Sequence, residues 1–284
     1  MAAIELEDLS FRYRNQRGEP ALRDVSLTVE EGEFLGVVGE TGAGKTTLLS
    51  AMCGVIPFHT SGDRAGTVRV KGRAVEAYGS LSALSSAISM VLDSPENQLF
   101  NLHVFDEVIW GPENMGFDRE EIIERGERAL RLFGLEGFED RITYTLSGGE
   151  KQKVAIASIY ALSPEIILLD EPTSQLDPIG TEMVFEAIDQ LIAEGVTIVM
   201  AEHKIEELAK YADRIAVLRG GELTHVDETR AFFLDGADHG VAPPQVTELG
   251  LELSRSGVDG FRIPLTLEEA TAEYAGVLRR EGPR

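Results

Sequence analysis

The run Gly39-Glu40-Thr41-Gly42-Ala43-Gly44-Lys45-Thr46 has the spacing G-x-x-x-x-G-K-T, a pattern suited to holding a chain of phosphates. Its glycines let consecutive backbone N–H groups converge on one point, the following helix presents its positive end there, and Lys45 adds a full charge. Thr46 offers a hydroxyl oxygen to the magnesium ion that accompanies a nucleoside triphosphate, and Thr47 continues the same turn. A second reactive group stands downstream, where four apolar residues, Ile166 to Leu169, end in Asp170-Glu171. A buried strand ending this way holds two carboxylates rigidly at the edge of a phosphate site. Asp170 would bind the magnesium, directly or through water, and Glu171 would orient or deprotonate an attacking water.

These groups need a scaffold that brings strand ends together. Phe34, Leu35, Val37 and Val38 read as a buried strand leading into the glycine loop, and Thr47-Leu48-Leu49 as the start of a helix. Residues 4 to 13 alternate as a strand and, with the strands from Ala21 to Leu35, predict an antiparallel β region near the N-terminus. A polar connection, Thr60 to Gly66, precedes a short strand from Thr67 to Val70. Apolar runs at Ile88–Leu92, Ile166–Leu169, Thr197–Met200 and Ile215–Leu218, with helical segments between them, predict an α/β fold with a mainly parallel sheet and helices on both faces. From Val104 to Leu135 the pattern turns helical and charged, and Asp118-x-x-Glu121 reads as a capping box. Residues of about 95 to 160 are expected to form an inserted helical subdomain. The character changes again beyond Gly221, so the expected division is a core domain over 1–221 and a small extension over 222–284. In that extension Thr266 and Glu269 form a second capping box ahead of a terminal helix.

Composition narrows the functional classes. The 49 acidic and 26 basic side chains of the 284 residues leave a net charge of −23, which repels nucleic acid and anionic headgroups at long range. No nucleic-acid partner is therefore expected. The single cysteine, Cys53, excludes an internal disulfide and a cysteine-rich zinc site. No apolar run approaches 18 residues, and the start MAAIELED lacks the basic and apolar parts of a signal peptide, so the chain is expected neither to span a membrane nor to be exported by itself.

Between the two reactive groups stands Leu146-Ser-Gly-Gly-Glu-Lys-Gln-Lys153. With this motif the chain resembles the nucleotide-binding subunits of ATP-binding cassette (ABC) transporters, whose signature is LSGGE. The resemblance implies a P-loop NTPase core that binds ATP and Mg2+ and acts as an ATPase. Ser147, Gly148 and Gly149 open a helix and so form an anion site. In the family this site meets the γ-phosphate held by a second head, so that two ATP molecules are sandwiched between two heads. The resemblance further assigns Tyr13 to stacking on adenine, Asp177 of Ser174-Gln-Leu-Asp177 to reporting across the dimer interface, and His203 to contacting the γ-phosphate. Glu171, His203 and Lys45 then form the catalytic set. One position departs from the pattern: Asp93 stands where the family has a glutamine that senses the magnesium and the lytic water. Its charge would either hold the metal alongside Thr46 and Asp170 or repel the phosphates and slow hydrolysis.

Pro95-Glu-Asn-Gln-Leu-Phe100, Val108 to Gly116 (VIWGPENMG), Pro243-Pro244 and Pro264-Leu-Thr-Leu-Glu-Glu269 resemble the energy-coupling-factor ATPases, which drive uptake of vitamins and of cobalt or nickel ions. That resemblance implies a second ATPase head, identical or paralogous, a membrane scaffold subunit gripped through about residues 94–116, and a small substrate-binding membrane subunit. The expected location is the cytoplasmic face of the cell membrane. A conventional ABC importer head and a non-transport ABC ATPase are the alternatives.

Overall fold

The computed structural model describes residues 1–14, 18–235 and 240–280. The chain opens with β1 (Ala2–Tyr13) and β2 (Leu22–Glu30), and the fully buried β3 (Phe34–Val38) follows. After the glycine loop come α1 (Lys45–Met52), the short α2 (Val55–Phe58), β4 (Gly62–Val70), β5 (Arg73–Ala74), α3 (Leu81–Leu84) and β6 (Ile88–Val91). Three helices then interrupt the alternation: α4 (Val104–Met115), α5 (Arg119–Leu132) and α6 (Gly148–Tyr160). It resumes with β7 (Ile166–Asp170), α7 (Pro178–Ala193), β8 (Thr197–Ala201), α8 (Ile205–Tyr211), β9 (Arg214–Arg219) and β10 (Glu222–Glu228). The chain closes with α9 (Thr229–Leu234), α10 (Gln245–Arg255) and α11 (Leu267–Arg280).

Two sheets result. An antiparallel sheet has the order β2-β1-β4-β5, and a six-stranded sheet has the order β10-β9-β3-β8-β7-β6. In the latter β9, β3, β8, β7 and β6 are parallel and β10 is added antiparallel at the edge. Alternation of side chains along each strand splits the core in two. On one face Val38, Ile167, Leu169, Ile198 and Met200 pack with Val154 of α6 and Val184 and Ile188 of α7. On the other, Leu35, Val37, Leu168 and Val199 pack with Leu48 and Met52 of α1 and with Leu9 and Val25 of the antiparallel sheet. The expected mainly parallel α/β core with an antiparallel N-terminal region is thus what the chain forms.

Local details differ from the sequence reading. β4 begins at Gly62 rather than Thr67, because the long β1 offers a partner as far as the pair Tyr13↔Gly62. The α5 helix does begin after Asp118, yet the Asp118 side chain makes no capping bond. Glu121 pairs instead with Arg125 one turn on, at 2.8 Å, so the box expected there does not form. At α11 Thr266 Oγ1 accepts the Glu269 N–H at 3.2 Å, while the Glu269 carboxylate turns to Arg230 and to the N–H of Leu265.

Candidate active site

The parallel strands end side by side, and that edge collects the reactive residues, as open α/β sheets do. Gly39 follows β3, Asp170 closes β7, Glu202 and His203 follow β8, and Asp93 lies two residues beyond β6. The glycine loop needs its glycines. A Cβ at Gly39 would lie 2.2 Å from the Leu218 carbonyl oxygen, and one at Gly44, which has φ 108°, would lie 2.6 Å from that of Ala21. Gly44 caps α1 with its backbone alone, leaving the helix's first N–H groups directed at the loop.

Lys45 is 4% exposed and holds the loop closed from within. Its Nζ donates to the carbonyl oxygens of Gly39 at 2.9 Å and Glu40 at 3.4 Å. The same ammonium lies 3.1 Å from Glu171 Oε1, and His203 Nε2 lies 2.9 Å from that oxygen. The three predicted catalytic residues therefore meet at one point. Glu171 adopts φ 46°, a conformation that few residues other than glycine accept, and its N–H is fixed by the Ala201 carbonyl oxygen at 2.9 Å.

A cleft of about 600 Å³ runs beside this cluster, lined among others by Tyr13, Thr41, Gly42, Thr46, Asp93 and Asp170. Tyr13 OH lies 3.0 Å from Thr47 Oγ1, and its ring meets Phe11 edge-on at 4.9 Å, leaving Phe11 in the core and Tyr13 at the cleft. Glu40 and Gly39 face a second cavity of about 240 Å³ with His203, and Ala43 within the loop is buried.

Asp170 carries the clearest electrostatic signature. Burial pushes its carboxyl above the ordinary aspartate value, and the charges of Glu171 and Asp93 push the same way, against a hydrogen bond with Thr46 and the charge of Lys45. Its Oδ1 is buried without a hydrogen-bond partner among the described residues. A carboxylate oxygen held this way beside a hydroxyl and a second carboxylate, Asp93, is the all-oxygen donor set that a hard divalent cation takes. Gln98, five residues beyond Asp93 in the chain, is committed elsewhere. Its Oε1 accepts the Leu92 N–H at 3.1 Å and its Nε2 donates to the Ala155 carbonyl oxygen at 3.4 Å.

Ser147, Gly148, Gly149 and Asp177 are not brought to this cleft. Ser147 caps α6 through a complete capping box with Glu150, its Oγ accepting the Glu150 N–H at 3.3 Å and its N–H donating to Glu150 Oε2 at 2.7 Å. Asp177 caps α7 by accepting the Gly180 N–H at 2.7 Å. Gly149 and Gly180 bring the starts of these two helices together, since a Cβ on Gly149 would lie 2.7 Å from the Gly180 Cα.

The model of the ABC transporter family matches residues 22–174, which span the glycine loop, the LSGGE helix and the Asp170-Glu171 strand. The chain belongs to the ABC transporter family. As an ABC transporter ATP-binding protein it binds ATP and has the ATPase cassette. It is 40% identical over 273 residues to a chain of Methanosarcina acetivorans provisionally named an ABC transporter ATP-binding protein, a match spanning 95% of this chain but only 42% of that relative. It is 36% identical over 278 residues to the energy-coupling factor transporter ATP-binding protein EcfA of Methanothermobacter thermautotrophicus, covering 97% of this chain and 87% of that one. Among solved structures, CbiO1 from Clostridium perfringens, described as part of the ABC transporter complex CbiONQ, superposes with a TM-score of 0.74 at 29% identity, over 90% of this chain and 97% of that one. Among the described residues no helix is long and apolar enough to cross a membrane.

The sequence missed Glu202, Thr173 and Lys204: Glu202 accepts the His203 N–H and the Thr173 hydroxyl, and Lys204 donates to the Thr173 carbonyl oxygen. Their residue types are common and their spacing follows no period, so only the fold reveals them.

Proposed function

We propose that this chain is an ATPase head of an energy-coupling-factor transporter, powering uptake of a micronutrient, a vitamin or a transition-metal ion, through membrane partner subunits. In this reading residues 1–221 form the cassette with its helical subdomain at about 95–160, residues 222–284 form an extension, and the head sits on the cytoplasmic face of the membrane. Tyr13 stacks on adenine, the loop Gly39–Thr47 holds the phosphates, and Thr46, Asp170 and Asp93 hold Mg2+. When bound, the ion neutralises phosphate charge. Glu171 activates water, and His203 and Lys45 contact the γ-phosphate. Ser147, Gly148, Gly149 and Asp177 face the nucleotide of a second head, identical or paralogous, which accounts for their lying outside this chain's own cleft. ATP binding closes the two heads on each other and hydrolysis parts them.

The observation that carries the transporter assignment is an exposed aromatic pair at the segment expected to grip a membrane scaffold. Phe100 is 60% exposed and Trp110 44% exposed, and their rings meet edge-on at 4.6 Å. Their support is rigid: Glu107, 3% exposed, accepts the N–H groups of Phe100 at 3.1 Å and Asn101 at 2.7 Å. Aromatic side chains held exposed, Phe100 on the braced loop and Trp110 on α4, suit an interface. Likeness to EcfA and CbiO1 supports the energy-coupling type within the family. Purification of the tagged chain from solubilised membranes tests the proposal. A compact scaffold and a small substrate-binding membrane protein are expected with it, and the double variant Phe100→Ser/Trp110→Ser is expected to lose both. Recovery with paired permeases instead would contradict the energy-coupling assignment.

A further inference from the structure

His203 is flanked by two residues that both reach across the strand ends to Thr173. Glu202 is 1% exposed, and its Oε2 accepts the Thr173 hydroxyl at 2.7 Å. Its Oε1 accepts the N–H of His203 at 2.7 Å and that of Lys204 at 3.3 Å. Burying a carboxylate so deeply is costly unless donors converge on it, and here three do. Lys204, on the other side of His203, donates from Nζ to the Thr173 carbonyl oxygen at 3.2 Å and to Thr181 Oγ1 at 2.7 Å. Thr173 is fully buried, two residues beyond Glu171, and Thr181 lies in the first turn of α7. Glu202 is itself tied to the sheet, its N–H donating to the Val37 carbonyl oxygen at 3.2 Å.

We propose that Glu202 and Lys204 are positioning residues that grip Thr173 by its hydroxyl and its carbonyl and thereby set His203 against Glu171. The inference rests on the reading of Glu171 and His203 as the hydrolytic pair. Near the reacting point the two loops that carry them are also joined by the Glu171–His203 contact, by Lys45 and by the backbone bond from Glu171 to Ala201, none of which holds the chain beyond Glu171. The grip makes them move as one unit. Because Lys204 also holds Thr181, and Asp177 caps the same helix, a shift of the His203 loop reaches the start of α7. A displacement of one ångström in a group that must meet a phosphate and a water costs on the order of a hundredfold in rate.

Steady-state ATP hydrolysis, fluorescent-ATP titration and thermal melting of the full chain carrying Thr173→Val, Thr173→Ser or Lys204→Met test this. Thr173→Val keeps the shape and removes the hydroxyl. Its kcat is expected to fall roughly tenfold to a hundredfold while the affinity for ATP stays close to that of the unsubstituted chain, and Thr173→Ser is expected to recover most of the loss. Lys204→Met alters a partly exposed side chain, and its kcat is expected to fall several-fold with ATP affinity retained. A lowered melting temperature with unchanged kcat in Thr173→Val and Lys204→Met would overturn the proposal, showing a tie that serves folding only. Equal loss of kcat and ATP affinity, with no recovery in Thr173→Ser, would overturn it as well. Glu171→Gln is the reference: if it is inactive while Thr173→Val turns over normally, the grip alone is rejected, whereas normal turnover in Glu171→Gln rejects the hydrolytic pair beneath it.

Discussion

Lys45 and Glu171 form an ion pair at 3.1 Å, with the lysine almost completely buried. The residue that would hold phosphate and the residue that would activate water thus contact each other directly, with His203 on the same carboxylate oxygen. A γ-phosphate entering the loop would compete with Glu171 for the ammonium. Nucleotide binding would thereby release the Glu171 carboxylate toward water.

Removal of the ammonium follows from this relation. Lys45→Ala is expected to weaken ATP binding roughly ten- to a hundredfold, the range for loss of hydrogen bonds to a charged group. Titration of fluorescent ATP against the variant measures it.

Asp93 adds a carboxylate beside Asp170, where the family pattern has a neutral glutamine. Asp93→Gln is expected to raise the Mg2+ concentration giving half-maximal hydrolysis about two- to fivefold, the effect of one exposed charge, with maximal turnover changing little. A Mg2+ titration of ATPase rate reads both quantities. A large gain in maximal turnover would mean that Asp93 impairs the native site.

Close approach of α6 and α7 at Gly149 and Gly180 leaves no room for a methyl group. Gly149→Ala is expected to destabilise the fold by about 1–3 kcal/mol, the usual cost of overpacking, as measured by urea unfolding.

The glycine loop and the acidic strand end were legible in the sequence because their backbone geometry dictates residue type. The Gly39 and Gly44 positions admit no side chain, and the buried β7 requires an apolar run ahead of Asp170. The mainly parallel character of the sheet followed from alternation of apolar runs and helices, whereas the order of its strands came only with the fold. The capping box at Asp118 failed because Glu121 has a better partner in Arg125, a competition invisible in the spacing of the box. The grip on Thr173 was hidden for a different reason: Thr173 and Glu202 lie 29 positions apart and are joined only when β7 and β8 lie side by side.

Glu150 links the capping box of α6 to Arg141 at 2.7 Å. Burial raises its pKa, but the hydrogen bonds from Arg141 and the Ser147 N–H outweigh burial and hold it below the usual glutamate value of 4.5. A carboxyl lowered on folding stabilises the fold at pH values above its unfolded pKa, and that contribution is lost as pH falls through its folded pKa. Glu150→Gln is therefore expected to cost about 1 kcal/mol at neutral pH, reduced by the partial exposure of Arg141. The difference from the unsubstituted chain should vanish well below pH 4.5, as followed by thermal melting across pH.

Hydrolysis is expected to depend above all on Glu171 as the residue that activates water. ATP turnover by Glu171→Gln, with ATP binding verified on the same preparation, tests that most directly. Binding should persist while turnover falls by roughly 10² to 10⁴, the contribution of a positioned general base. Near-normal turnover by a variant that binds ATP normally would contradict the account.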